Sequence, residues 1–159
     1  MATLPSRYYL WRQGGQRSKS SARVQPAVIT AADIARQPSE SFPDTSVGVL
    51  HWKTLVSNGS TTSNELTAGI ATCPAGDGHL KLHRHTQDEI YYIVSGRGIM
   101  TIDGTKHHVG QGAVVFIPGD AEHGIRKSSG DEDLVWLYGF AADSFGEIHY
   151  RFSGGDEQL

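Results

Sequence analysis

Short runs of alternating apolar and polar residues, separated by turn residues, fill most of the chain after residue 46. Such runs are typical of β-strands, and ten are predicted, at residues 47–56, 66–72, 79–85, 89–95, 98–103, 106–109, 113–117, 123–127, 134–140 and 147–152. Asp103-Gly104 has the composition of a two-residue hairpin turn, and residues 95–98 (Ser-Gly-Arg-Gly) predict another tight reversal. Because no long helix interrupts this pattern, it predicts an all-β sandwich or barrel with antiparallel neighbours.

Ahead of the strands, the sequence predicts one short helix that begins at Thr30. Thr30 followed three residues later by Asp33 resembles a capping box, and Pro38 closes the segment. We therefore divide the chain into an extended N-terminal arm (residues 1–27), a single domain (28–153) and a frayed C-terminal tail (154–159).

The composition fits one small domain that acts inside a cell. The 159 residues are 38% hydrophobic, which is enough for a single core. A lone cysteine, Cys73, cannot form an intramolecular disulfide, and this favours a reducing, cytoplasmic location. The apolar runs are far shorter than the roughly 20 residues of a membrane span, and the net charge of -3 gives no basic surface for nucleic acid. The expected partner is a small molecule.

The N-terminal residues leave a second location open. The first 32 residues are rich in Ser and Gln and contain basic residues but no acid, which makes a mitochondrial presequence the alternative. We favour an arm that docks on a partner subunit through residues 8–11 (Tyr-Tyr-Leu-Trp), because Gly14, Gly15 and the missing amphipathic period argue against a targeting helix.

Candidate metal ligands are concentrated in residues 83–89, which read H-R-H-T-Q-D-E. His83 and His85 lie two apart on a predicted strand and so point to the same face, while a turn lets Glu89 approach from the next strand. His123, which follows a strand ending at Pro118-Gly119, is the candidate fourth ligand. Three imidazoles and one carboxylate suit one divalent transition metal, Fe(II), Mn, Ni, Zn or Cu(II), and leave positions open for substrate, water or oxygen.

These residues resemble the two motifs of the cupin superfamily. Motif 1, G-x(5)-H-x-H-x(3,4)-E-x(6)-G, is matched by His83, His85, Glu89 and Gly96, and motif 2, G-x(5)-P-x-G-x(2)-H-x(3)-N, by Gly112, Pro118 and His123. Three other motif positions differ, with Asp77 and Asp120 in place of glycine and Lys127 in place of asparagine. The resemblance covers about residues 66–140 and implies a single-domain jelly-roll barrel, the double-stranded β-helix, with a metal on the four ligands.

Strand parity extends the list of candidate site residues. Tyr91 shares the face of Glu89 and is the candidate general base or acid, provided that its surroundings lower its pKa from about 10. Lys81 shares the face of His83 and is a candidate to hold a substrate carboxylate. Four further residues are candidates for the pocket wall, as pairs on two other strands: His51 and Lys53, and Trp136 and Tyr138.

Two imidazoles, a carboxylate, a tyrosine two residues later and a distant histidine also resemble the single-domain dimethylsulfoniopropionate lyases among the cupins. That resemblance implies that Tyr91 takes a proton next to a metal-bound carboxylate while a thioether leaves. The wider reaction class is metal-assisted proton abstraction from a small organic acid or carbonyl compound, by a lyase, isomerase or cyclase. An iron-dependent dioxygenase and a non-catalytic cupin that binds metal or a metabolite are the alternatives. Cupins usually pair through their sheets, and the apolar outer strands predict a homodimer.

Overall fold

The computed structural model describes residues 24–128 and 130–154 of the chain. Residues 1–23 of the predicted arm and 155–159 of the predicted tail lie outside this range. The predicted helix is present as α1 (Ala31–Arg36), and its capping box is complete, because the Thr30 hydroxyl accepts from the Asp33 amide and the Asp33 carboxylate accepts from the Thr30 amide at 2.9 Å. In the described part, no helix is long and apolar enough to cross a membrane.

Twelve strands follow α1 in the described part of the chain. They are β1 (Glu40–Ser41), β2 (Gly48–Val49), β3 (His51–Val56), β4 (Thr67–Cys73), β5 (His79–Arg84), β6 (Glu89–Ser95), β7 (Arg97–Ile102), β8 (Thr105–Gly110), β9 (Val114–Ile117), β10 (His123–Lys127), β11 (Leu134–Phe140) and β12 (Arg151–Phe152). A short 3-10 turn (Phe145–Glu147) separates β11 from β12. Three of the ten predicted strands have the predicted ends, at residues 89–95, 123–127 and 134–140, and five more differ by one or two residues.

The strands form two antiparallel sheets that face each other. Sheet 1 has the order β1-β3-β4-β11-β6-β9, and sheet 2 has the order β12-β5-β10-β7-β8, with β2 also paired to β5. Burial alternates along β4 and along most of β6, as expected when one face of a sheet covers a core. The core takes residues from both sheets, among them Ile93 and Trp136 from sheet 1 and Met100 and Ile125 from sheet 2. The predicted all-β jelly-roll barrel is confirmed.

The β7–β8 hairpin confirms the turn predicted at Asp103-Gly104. Both residues have positive φ, 45° and 78°, which is the backbone of a type I′ turn. Since Asp and Gly tolerate this conformation better than other residues, the local sequence alone sets the register in which Ile102 faces Thr105.

One predicted strand, residues 47–56, is divided between the two sheets. Its first part, β2, pairs with β5 in sheet 2, whereas its second part, β3, pairs with β4 in sheet 1. The buried Leu50 lies at the crossing between them. A sequence pattern that alternates without a break does not reveal such a crossing, because both parts keep one face toward the same core.

The outer face of sheet 1 carries a continuous apolar surface. Its side chains come from the last strands of the sheet and are all more than a third exposed: Ile90, Tyr92, Val94, Val114, Phe116 and Leu137. Apolar patches of this kind are typical of surfaces that meet another protein. The homodimer stays a prediction, and this face is the one on which we expect it to form.

Candidate metal centre and substrate pocket

Four candidate ligands meet inside the barrel because of how β5 and β10 pair. His123 lies directly opposite His83 in the register of these strands. His85 follows His83 by two residues, and Glu89 enters from the first position of β6 after a short turn. All four side chains are buried, His83 and His123 completely. The structure therefore brings together residues that are 40 positions apart in the sequence.

Backbone carbonyls fix the orientation of the three imidazoles. The Nδ1 atom of each ring donates a hydrogen bond to a carbonyl oxygen two residues away: His83 to Lys81 at 2.8 Å, His85 to Gln87 at 3.0 Å and His123 to Ala121 at 2.9 Å. Because a carbonyl only accepts, the proton of each neutral ring is on Nδ1. Each Nε2 thus presents a lone pair, which is the form in which histidine binds a metal.

The Nε2 atoms converge on one small volume. The ligand atoms of the three histidines lie within 4.8 Å of one another, and Glu89 Oε2 lies 3.2 Å from Nε2 of both His85 and His123. His83 Nε2 is buried and has no hydrogen-bond partner among the described residues. A buried nitrogen lone pair without a partner is unfavourable in a metal-free protein and is satisfied by a cation. The donor set therefore fits a transition metal such as those predicted.

Burial and a neighbouring imidazole keep His83 neutral, which is the form in which it can bind a metal. Burial lowers its pKa well below the ordinary value of 6.5, and the neighbouring His123 lowers it further. A buried imidazole that resists protonation remains available as a neutral nitrogen ligand at physiological pH.

A small, partly open pocket lies beside the histidines and shares Glu89 with them. The residues that line it come mostly from sheet 1 and from the segments that flank it: Phe42, Leu50, Trp52, Ala71, Leu80, Glu89, Tyr91, Trp136, Tyr138, Phe145 and Tyr150. Seven of these eleven residues are aromatic, and Glu89 is the one charged residue among them. The pocket therefore combines a wide apolar wall with one anionic edge at the histidines.

Tyr91, the predicted general base or acid, lies at the junction of the pocket and the histidines. Its side chain is buried, its ring packs on Trp136 at a centroid distance of 5.4 Å, and its hydroxyl is hydrogen-bonded to the Glu89 carboxylate. Burial and then the negative charge of Glu89 raise the pKa of Tyr91 well above its usual range. Its position fits the predicted role, but the lowered pKa on which that role depends is not provided by these side chains, which keep the phenol neutral.

The other predicted pocket residues divide into two groups. Trp136 and Tyr138 line the cavity, and the Tyr138 hydroxyl lies 3.3 Å from Thr54 Oγ1. His51 and Lys53 lie on the opposite face of β3 from Trp52, which is the residue of that strand that lines the cavity. His51 is exposed, and the Lys53 ammonium donates to the carbonyl of Ile34 near the end of α1 at 2.7 Å.

Lys81 is also absent from the residues that line the pocket, although the alternation of side chains along a strand predicts that it shares the face of His83. The register of β5 and β10 shifts between His123 and Ile125, so that Leu80 and His83 both face inward although they are three residues apart. This irregularity in the ladder turns Lys81 away from the lumen. Its carbonyl orients His83, but the structure does not place its ammonium against the cavity.

Tyr150 is a pocket residue that the sequence analysis missed. Its ring lies 4.7 Å from that of His83, at an interplanar angle of 31°, and it meets His85 edge-on at 5.8 Å. Phe42 and Phe145 were missed as well. The available signal was a run of aromatic residues near the end of the domain, at positions 145, 150 and 152, but nothing in the sequence shows which strand they reach.

The fold and the site together define a class, a jelly-roll barrel that encloses three histidines able to hold a metal ion. Comparison with known proteins agrees. The Cupin domain model matches residues 69–140. Dimethylsulfoniopropionate lyase DddW of Ruegeria pomeroyi is 41% identical over 124 residues, which are 77% of this chain and 79% of that protein. The chain belongs to the cupin family.

Solved structures show the same fold at low sequence identity. The polyketide cyclase RemF of Streptomyces resistomycificus superimposes with a TM-score of 0.66 at 14% identity, over 85% of this chain and 89% of that one. A predicted oxalate decarboxylase of Thermotoga maritima superimposes with a TM-score of 0.62 at 23% identity, over 73% and 99% of the two chains. At these identities the likeness extends to the fold alone.

Proposed function

We propose that this protein is a metal-dependent lyase that acts on a small carboxylate with a sulfonium group, of the dimethylsulfoniopropionate type. The observation that carries the proposal is that one residue, Glu89, belongs both to the histidine cluster and to the wall of an otherwise uncharged, largely aromatic pocket. The proposal is supported by the relative that is named a dimethylsulfoniopropionate lyase and is 41% identical to this chain.

The pocket wall suits the cationic end of such a substrate. A sulfonium or quaternary ammonium group is attracted to the faces of aromatic rings, and Trp52, Trp136 and Tyr138 provide such rings away from the histidines. The described lining contains neither lysine nor arginine, so no side chain there repels a cation. We infer that the substrate places its sulfonium against the aromatic wall and its carboxylate toward the histidines.

His83, His85, Glu89 and His123 would hold the metal. Their three neutral nitrogens and one carboxylate oxygen suit Fe(II), Mn, Ni, Zn or Cu(II) rather than calcium or magnesium, which prefer oxygen ligands. When bound, the ion supplies a Lewis acid that makes the C–H bond next to a carboxylate more acidic and lowers the pKa of a nearby phenol.

Tyr91 is the residue that we propose to move the proton. Its oxygen, as phenolate, takes the proton from the carbon next to the carboxylate, and the electron pair of that C–H bond forms a carbon–carbon double bond. The C–S bond breaks and its electron pair leaves with sulfur, so that the products are an unsaturated carboxylate and a neutral thioether. The ring packing of Tyr91 on Trp136 holds the oxygen in place beside Glu89.

One experiment tests this function against its alternatives. The protein is purified without added metal, its bound metal is measured by elemental analysis, and it is incubated with dimethylsulfoniopropionate with and without oxygen. We expect a bound transition ion and equal amounts of dimethyl sulfide and acrylate under anaerobic conditions. Turnover that requires iron and consumes oxygen would instead support a dioxygenase. Retained metal without turnover of this or related small acids would support a binding protein.

A further inference from the structure

The C-terminal segment of the domain places Tyr150 against two of the candidate metal ligands. The ring lies 4.7 Å from the His83 imidazole, tilted by 31° to it, and edge-on to His85. Phe42 packs edge-on against Tyr150 at 5.7 Å, and Phe152 stacks on it at 5.9 Å. The ring of Tyr150 is thus held in a fixed position at the edge of the pocket that is nearest to the histidines.

Contacts on either side of Tyr150 fasten this segment to β5. Arg151 pairs with Arg84 in the strand register and forms an ion pair with Asp120. The Ser153 amide donates to the carbonyl of Leu82 at 3.0 Å. Asp120 has a φ of 64° and occupies the position of a glycine in cupin motif 2. Glycine has no side chain, whereas the Asp120 carboxylate in this chain binds Arg151 of the C-terminal segment.

Of the three pocket phenols, Tyr150 has a hydroxyl without a hydrogen-bond partner in the described part of the chain. The Tyr138 hydroxyl is paired with Thr54 Oγ1, and the Tyr91 hydroxyl is paired with Glu89. Tyr150 lines the same pocket as Glu89, and its ring contacts the rings of His83 and His85, so this phenol stands at the edge of the histidine cluster. An unpaired O–H donor therefore lies beside the place where a ligand would approach the metal.

We propose that Tyr150 is a substrate-binding residue whose hydroxyl donates a hydrogen bond to the carboxylate of the substrate at the histidine cluster. The pocket provides no lysine or arginine for this anion, so a neutral donor is the side chain left to orient it. This inference rests on the proposed function for its choice of a carboxylate substrate. It goes beyond that function because it names the residue that binds the substrate carboxylate. This residue, Tyr150, lies outside residues 69–140, the part of the chain that the Cupin domain model matches.

The test measures binding, so that it is independent of turnover. Metal-loaded wild-type protein and the Tyr150→Phe variant are titrated by calorimetry with 3-(methylthio)propionate, which has the carboxylate but no sulfonium leaving group. A hydrogen bond to a charged group is worth about 1.5–3 kcal/mol, so we expect the variant to bind about 10- to 100-fold more weakly. The corresponding alcohol, 3-(methylthio)propanol, should bind both proteins with affinities within about threefold of each other.

Two controls separate this role from a structural one. Tyr92→Phe removes a phenol hydroxyl from the exposed outer face of sheet 1 and should leave the affinity unchanged. The metal content of Tyr150→Phe should equal that of the wild type, because phenylalanine keeps the ring that packs on His83.

The outcomes distinguish this inference from the proposed function. Carboxylate binding that weakens in Tyr150→Phe supports the inference even if the wild type cleaves no sulfonium compound, and in that case the lyase function alone has failed. Equal affinity of both proteins for 3-(methylthio)propionate would overturn the inference even if the lyase reaction is observed. Failure of the wild type to bind any carboxylate would also overturn it.

Discussion

Replacement of Tyr91 by phenylalanine removes one oxygen atom from the proposed base and changes little else. The Tyr91 side chain is 2% exposed, and its ring contact with Trp136 is available to phenylalanine without a cavity. The hydroxyl makes one hydrogen bond, to Glu89. We therefore expect a folded protein that retains its ligand set, with a stability change limited to about 1–3 kcal/mol for the loss of this charged hydrogen bond.

The effect on catalysis should be far larger than the effect on folding. A positioned general base contributes about 10²- to 10⁴-fold to a rate. Tyr91 is the pocket phenol whose hydroxyl is hydrogen-bonded to a candidate metal ligand, Glu89. We expect Tyr91→Phe to lower kcat by this factor, which corresponds to about 3–5 kcal/mol in the barrier. KM should change little, because in our proposal substrate binding rests on the aromatic wall and on Tyr150.

The assay is the anaerobic release of dimethyl sulfide and acrylate from dimethylsulfoniopropionate, with metal content measured on the same samples. Tyr92→Phe is the matched control, since it removes the same atom from the next residue of β6 on the exposed outer face. A Tyr91→Phe variant that keeps its metal and retains more than about a tenth of the wild-type kcat would refute the assignment of Tyr91 as the base. Loss of metal from the variant would show that Tyr91 acts on the ligand set instead.

Three further predictions follow from the histidine cluster and the outer face of sheet 1. His123→Ala should lower the bound metal from about one ion per chain to near zero by elemental analysis, because three-ligand sites bind more weakly. Metal-free protein should lose stability as the pH falls below 6.5, by up to about 1.4 kcal/mol per pH unit in denaturant titrations. The reason is that the pKa of His83 is lowered in the folded state, so the unfolded chain binds the proton first; a flat profile would contradict this. If sheet 1 forms the homodimer, Phe116→Glu, at a side chain that is 61% exposed, should halve the mass in light scattering while the protein stays folded, and a monomeric wild type would refute the dimer.

Features that depend on neighbouring residues were predicted well from the sequence. The capping box at Thr30, the hairpin turn at Asp103-Gly104 and the strand ends at residues 89–95 and 134–140 each depend on a few adjacent residues. The convergence of His83 and His85 is of the same kind, because side chains two apart on a strand share a face. Such local rules hold whatever the rest of the chain does.

Features that depend on a partner strand could not be predicted in this way. The inward position of Leu80 in place of Lys81 follows from a register shift between β5 and β10, two strands about 40 residues apart. Trp52, rather than His51 and Lys53, lines the pocket because the chain crosses between sheets at Leu50. Parity within one strand gives the alternation of faces, but the pairing decides which of the two faces is inside.

The residues of the histidine cluster and of the pocket come from two parts of the chain, the matched Cupin domain and the segments that flank it. The histidines and Glu89 lie within the matched Cupin domain residues 69–140, together with Tyr91, Trp136 and Tyr138 of the pocket, whereas the pocket residues Phe42, Trp52 and Tyr150 lie outside them. Metal binding and substrate recognition should therefore be separable by mutation. Changes in the flanking residues should alter the affinity for the organic ligand at constant metal content, while changes in the histidines should remove both.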